Sequence, residues 1–98
     1  MNGVFAVRTT PGFDRSVKSL TRQHAELPEV LGNAISVLGS DPYNQSRSHQ
    51  IKKLKGFPRG DGQYGLRIGR WRFRYDIWSE KREVALNFCG LRREDSYR

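Results

Sequence analysis

From Tyr64 onward the sequence repeats every two residues, and this alternation constrains the fold more than any other feature of the chain. Tyr64, Leu66 and Ile68 alternate with Gly65 and Arg67. Trp71, Phe73, Tyr75 and Ile77 alternate with Arg72, Arg74, Asp76 and Trp78, and Val84, Leu86 and Phe88 alternate with Ala85, Asn87 and Cys89. Successive side chains of a strand point to opposite faces, so a period of two describes strands with one apolar face. Gly69-Arg70 stands where a two-residue hairpin turn is needed, and Glu80 to Arg82 supplies a second turn. The pattern predicts a three-stranded antiparallel meander whose opposite face is basic.

Such a sheet needs a cover, and the first half of the chain provides one. Val4 to Arg8 is rich in β-formers and reads as a first strand. Thr10-Pro11 is a helix start, a hydroxyl at the N-cap followed by proline at the first helical position. Phe13, Val17 and Leu20 then lie on one helical face. A second helix is expected from about Pro28 to Leu38, with Leu31, Ile35 and Leu38 as its stripe and Gly39 placed to end it. The two read as a helical hairpin. Ser40 to Gln50 is a polar connection with a turn at Asp41-Pro42, and Gly56 to Gly62 is a loop. Residues 1–98 are therefore expected to form one α+β domain of order β-α-α-β-β-β: a small antiparallel sheet with an N-terminal helical hairpin packed on one face.

Charge is unevenly spread. The net charge is +8, yet residues 1–46 hold four basic and four acidic side chains, while residues 47–98 hold fourteen basic and six acidic. All the excess lies in the half that forms the meander. A field of one sign attracts polyanions, nucleic acid first among them. With Cys89 as the single cysteine, neither an intramolecular disulfide nor a cysteine-rich metal site is available, and no metal or other cofactor is expected. Met1 to Arg8 lacks the pattern of a signal peptide, and no stretch is apolar enough to span a bilayer, so a cytoplasmic location without membrane partners is the expectation.

The alternation also sends Arg67, Arg72 and Arg74 to the face opposite the core, with Arg67 and Arg72 as cross-strand neighbours or nearly so. Guanidinium groups that close repel each other unless an anion joins them, and they pair bidentately with phosphate. Arg92 follows the last strand with Tyr97 close behind, and a phenol can stack on a base or exchange a proton with a phosphate or sugar oxygen. His49 reads as a solvated loop residue.

Taken in order, Phe13-Asp14-Arg15 with Leu20, Asp41-Pro42, Lys53-Leu54-Lys55-Gly56, the run Tyr64 to Tyr75, Gly90-Leu91-Arg92 and Ser96-Tyr97 resemble the RelE/ParE family of toxins over essentially the whole chain. The resemblance implies a RelE-like fold and, for the RelE branch, a toxin of a toxin–antitoxin system. Such a toxin is an endoribonuclease that cleaves messenger RNA on the ribosome without metal, by attack of the 2′-hydroxyl on the adjacent phosphate. By position, Arg67 and Arg72 would stabilise the phosphorane, Arg92 would sit at the leaving group or scissile phosphate, and Tyr97 would orient the nucleotide or move a proton. Lys52, Lys53, Lys55, Arg70, Arg74 and Arg93 would bind RNA. The implied partners are a cognate antitoxin, mRNA and the ribosome, with DNA reached only through an antitoxin complex. One departure from the pattern is Gly65, where the branch often carries a catalytic lysine, so the base is open among Lys53, Lys55 and Tyr97. The alternatives are a ParE-like toxin acting on DNA gyrase and an inactive nucleic-acid-binding module.

Overall fold

A computed structural model of the chain describes residues 4–91. Strand β1 (Ala6–Thr9) leads into helix α1 (Pro11–Thr21) and helix α2 (Leu27–Ser40), followed by β2 (Gln50–Lys53), β3 (Tyr64–Ile68), β4 (Trp71–Trp78) and β5 (Glu83–Leu91). The sheet order is β1-β5-β4-β3-β2. The expected meander is β3-β4-β5, antiparallel throughout, and β1 joins its edge in parallel against β5, which makes the sheet mixed.

Local chemistry explains the elements. The Thr10 hydroxyl accepts the Phe13 amide at 3.1 Å, capping α1 as its sequence predicts, with Pro11 inside the first turn. Gly69, at φ 59, occupies the first central position of the β3–β4 turn, a backbone conformation that glycine adopts without strain.

Three expectations are corrected. Strand β2 adds to the expected sheet, and Gln50–Lys53 gives no sign of it because it carries one apolar residue among polar and basic ones. Edge strands are commonly built that way, which discourages further strand pairing. Helix α2 runs past Gly39 to Ser40, and Gly39 instead accepts the Phe5 amide at 2.7 Å, bringing the chain ahead of β1 onto the helix. Its buried face is Leu27, Ala34 and Leu38, with Val30, Leu31 and Val37 alongside, so the stripe is rotated and Ile35 is exposed.

The core lies between the helices and one face of the sheet. Phe13, Leu27, Ala34 and Leu38 pack with Leu66, Trp71, Phe73, Tyr75, Ile77, Val84 and Leu86. Tyr75 is fully buried; it stacks on Tyr64 with ring centroids 5.5 Å apart, and its hydroxyl donates to the Pro42 carbonyl at 2.8 Å. Burial drives its phenol far above the ordinary tyrosine range. The loop after α2 is fastened separately. Asp41 accepts from the Gln45 amide and from both the amide and hydroxyl of Ser46. Partial burial alone would raise its carboxyl, but these bonds outweigh it and hold the carboxyl below its ordinary value.

The sheet is regular except at one point. In β4–β5 the register shifts at Arg74/Tyr75: Arg74 pairs with Phe88 and Tyr75 with Leu86, so Asn87 is an extra residue in β5. The bulge reverses the faces beyond it. Cys89, which simple alternation assigns to the polar phase, is buried at 4% exposure, whereas Phe88 is 45% exposed on the opposite face.

Candidate nucleic-acid interface

The face away from the helices is organised as rows across the strands. Gln50, Arg67, Arg72 and Gly90 form one row, in which Arg67 and Arg72 are directly opposed. The next row is Lys52, Gly65, Arg74 and Phe88. Strand pairing alone therefore brings Lys52, Arg67, Arg72 and Arg74 onto one surface. A cleft of about 680 Å³ opens over it, walled also by His49, Leu54, Phe57 and Phe88.

The cations in this cleft are not equivalent. Arg67 and Arg72 are exposed, and neither they nor Lys52 forms an ion pair among the described residues. The Arg67 side chain donates from Nε to the Gly69 carbonyl at 3.3 Å. Arg67 and Arg72, partners in the strand register with no carboxylate partner among the described residues, place two like charges side by side, an arrangement that repels itself. Arg74 is half-buried and committed to the protein: its guanidinium lies 3.9 Å from the centre of the Phe57 ring and 5.7 Å from that of Phe88, and it donates to the Asp61 carbonyl. It braces the surface rather than offering a free fork.

Other basic residues singled out in the sequence fall elsewhere. Lys53 pairs with Tyr64 in the register and lies 5.9 Å from the centre of its ring, on the phase opposite Arg67 and Arg72. Arg70 sits in the β3–β4 turn and pairs with Glu26 at 2.9 Å, an interaction that holds the Glu26 carboxyl below its ordinary value. Lys55 is exposed beyond the end of β2. Arg92, Arg93 and Tyr97 lie outside the described residues. Gly65 is covered by Leu54, whose side chain would stand 3.5 Å from a Cβ at that position. Across the strands from Gly65 stands Lys52.

The loop between β2 and β3 is pinned from below by a residue that the sequence did not mark out. Asp76 is completely buried, and its carboxylate accepts the amides of Gly60, Gly62 and Gln63 at 3.0–3.1 Å. The bulge residue Asn87 donates to the Gly60 carbonyl at 3.0 Å, and Arg59 pairs with Glu80 at 3.2 Å while lying over Trp78. A buried carboxylate is tolerated when amide donors replace its water. The result is a loop that carries Phe57 to the cleft in a fixed position. His49, expected to be solvated, is half-buried in the cleft wall, with Nε2 3.8 Å from the Asp41 carboxylate. Sequence reasoning thus missed Asp76, His49, Phe57 and Phe88. For Phe88 a signal existed: a cysteine on the polar phase directly before a glycine is where a bulge would restore the pattern.

This geometry can be set beside known proteins. Neither a family model nor a curated protein sequence matches the chain. Among solved structures, the archaeal RelE–RelB complex from Pyrococcus horikoshii OT3 contains a similar chain at 20% identity and a TM-score of 0.66, covering 93% of this chain and 98% of that one. The toxin–antitoxin complex RelBE2 from Mycobacterium tuberculosis contains another at 22% identity and a TM-score of 0.69, covering 94% and 95%. The chain has the RelE fold. The sequence resemblance is therefore matched by the architecture, which is shared over nearly the full length of both comparisons. No helix among the described residues is long and apolar enough to cross a membrane.

Proposed function

We propose that this protein is the toxin of a toxin–antitoxin pair and acts as an endoribonuclease on mRNA, on the ribosome and without metal. The observation that carries the reading is the opposed Arg67–Arg72 pair, unneutralised by any carboxylate among the described residues, at the floor of a cleft on a RelE fold. In the reaction the 2′-hydroxyl attacks the adjacent phosphorus, its proton passes to a base, and the 5′-oxygen departs after taking up a proton. Negative charge accumulates on the phosphorane, and fixed guanidiniums stabilise it more than they stabilise the starting diester. Arg67 and Arg72 take this role. Arg92 attends the leaving group, and Tyr97 orients the nucleotide or moves a proton. Lys52, across the strands from Gly65, stands where a cation or proton acceptor can serve the same phosphate, while Lys53, Lys55, Arg70, Arg74 and Arg93 extend the basic field that draws RNA in.

Both structural neighbours come from complexes with antitoxins, which supports a cognate antitoxin as this chain's partner. Such a protein must neutralise part of the basic half or cover the cleft. One observation favours a second reading: Gly65 under Leu54 leaves that position without any proton acceptor, as suits a toxin that binds DNA gyrase.

Induction of the wild-type chain beside Arg72→Ala, with growth followed and transcript 5′ ends mapped, separates these readings. Fresh cleavages within translated codons, lost in the variant, are the expected result. Growth arrest with intact transcripts and damaged DNA would transfer the assignment to gyrase. Absence of arrest would leave a binding module.

A further inference from the structure

The bulge at Asn87 does more than kink the sheet. Without it Phe88 would join the apolar face; with it, the ring stands on the charged face at 45% exposure, near Phe57 at 39%. Single exposed apolar side chains are ordinary, but two aromatic rings lining one arginine-rimmed cleft form the kind of patch that marks a binding surface. Their placement indicates what it binds. Phe88 leans along its strand over Gly90, so closely that a Cβ at Gly90 would lie 2.8 Å from the ring Cζ. Gly90 is the neighbour of Arg72 in the row that runs through Arg67. The ring therefore fills the next position in the guanidinium row, and only glycine at 90 leaves room for it. Arg74, whose guanidinium lies 3.9 Å from the centre of the Phe57 ring and 5.7 Å from that of Phe88, ties both to the loop through the Asp61 carbonyl.

A flat apolar surface continuous with a phosphate-binding pair is the combination that single-stranded nucleic acid requires, because an unpaired base exposes its face while its phosphate remains charged. We infer that Phe88, assisted by Phe57, is a nucleobase-stacking subsite, holding an unpaired base next to the phosphate gripped by Arg67 and Arg72. Its ligand class is single-stranded RNA with an unstacked base, and it discriminates against duplex, whose bases present no free face. This inference rests on the RNA-directed reading above.

The test is equilibrium binding of the full chain to a short 2′-O-methyl oligoribonucleotide, which resists cleavage by 2′-hydroxyl attack, and to an abasic oligomer of equal length and charge. Wild-type protein should favour the base-bearing strand by roughly tenfold, the scale of one base–aromatic stack. Phe88→Ala should lose this preference with the salt dependence unchanged; Phe88→Trp should restore it, and Phe88→Leu, which keeps the bulk without the ring, should not. Equal binding of both oligomers by wild type, or wild-type behaviour of Phe88→Leu, would overturn the inference and leave the exposed rings to a protein partner. Arg72→Ala separates the two levels, since it should weaken both oligomers together. If neither oligomer binds in a salt-dependent way, the RNA reading fails and the stacking subsite fails with it.

Discussion

At the scale of single residues, the cleft depends on groups that never face the solvent. Asp76 gathers three amides of the loop that carries Phe57, so Asp76→Ala would remove both carboxyl oxygens that accept these three hydrogen bonds and leave their donors facing a void. We expect it to lower stability by roughly 2–4 kcal/mol, read from the urea midpoint. Asp76→Asn should also destabilise, because one end of the amide presents its own donors to the amides of Gly60 and Gly62 or of Gln63. An unchanged midpoint for both variants would mean that the loop is held by other contacts. Arg67 and Arg72 make the opposite case. Opposed like charges cost a sheet about 0.2–1 kcal/mol, so Arg72→Thr should stabilise the free protein by that order. Millimolar inorganic phosphate should narrow the difference by bridging the wild-type pair. If Arg72→Thr destabilises instead, the two guanidiniums are not opposed as described.

At the scale of elements, legibility tracked how strongly each segment was patterned. The meander, the α1 cap and the Arg67–Arg72 pairing could be read because alternation and capping chemistry act locally. Strand β2 could not, since one isoleucine among polar residues carries no period, and only pairing with β3 makes it a strand. The bulge escaped for another reason: alternation continues unbroken through Phe88 in the sequence, and the shift is imposed by Asn87 reaching the Gly60 carbonyl and by Cys89 entering the core. The arrangement of Phe88 over Gly90 can be tested on the element itself. In Gly90→Ala the new methyl must displace the tip of an exposed ring, a movable group, while alanine suits a strand interior better than glycine. Stability should therefore stay within about 0.5 kcal/mol, but the preference for a base-bearing over an abasic strand should fall as it does in Phe88→Ala. Retention of that preference would show that the ring does not need the space above Gly90.

At the scale of the whole molecule, the strand register can be read out as a dependence of stability on pH. Burial pushes the Cys89 thiol up to about 11 from a reference of 9.0. Below pH 9 the thiol is protonated in folded and unfolded chains alike and contributes no pH dependence. Between pH 9 and 11 the unfolded chain releases the proton that the folded chain retains, so the unfolded state binds fewer protons and stability falls as pH rises. The slope approaches about 1.4 kcal/mol per pH unit, for a loss of about 2–3 kcal/mol by pH 11. Tyr75 acts in the same direction, but only above its reference of 10.0, which leaves pH 9–10 as the window that isolates the cysteine. Deprotonation of lysines across this range also relieves repulsion in a chain of net charge +8, an opposing contribution common to wild type and variant. The informative quantity is therefore the difference between wild type and Cys89→Ala in urea midpoints at pH 8, 9 and 10. The advantage of wild type over the variant should shrink through this window. Parallel curves would place the thiol in solvent, where unbroken alternation along β5 would put it; Phe88 would then belong to the core, and the aromatic surface beside Arg72 would not exist.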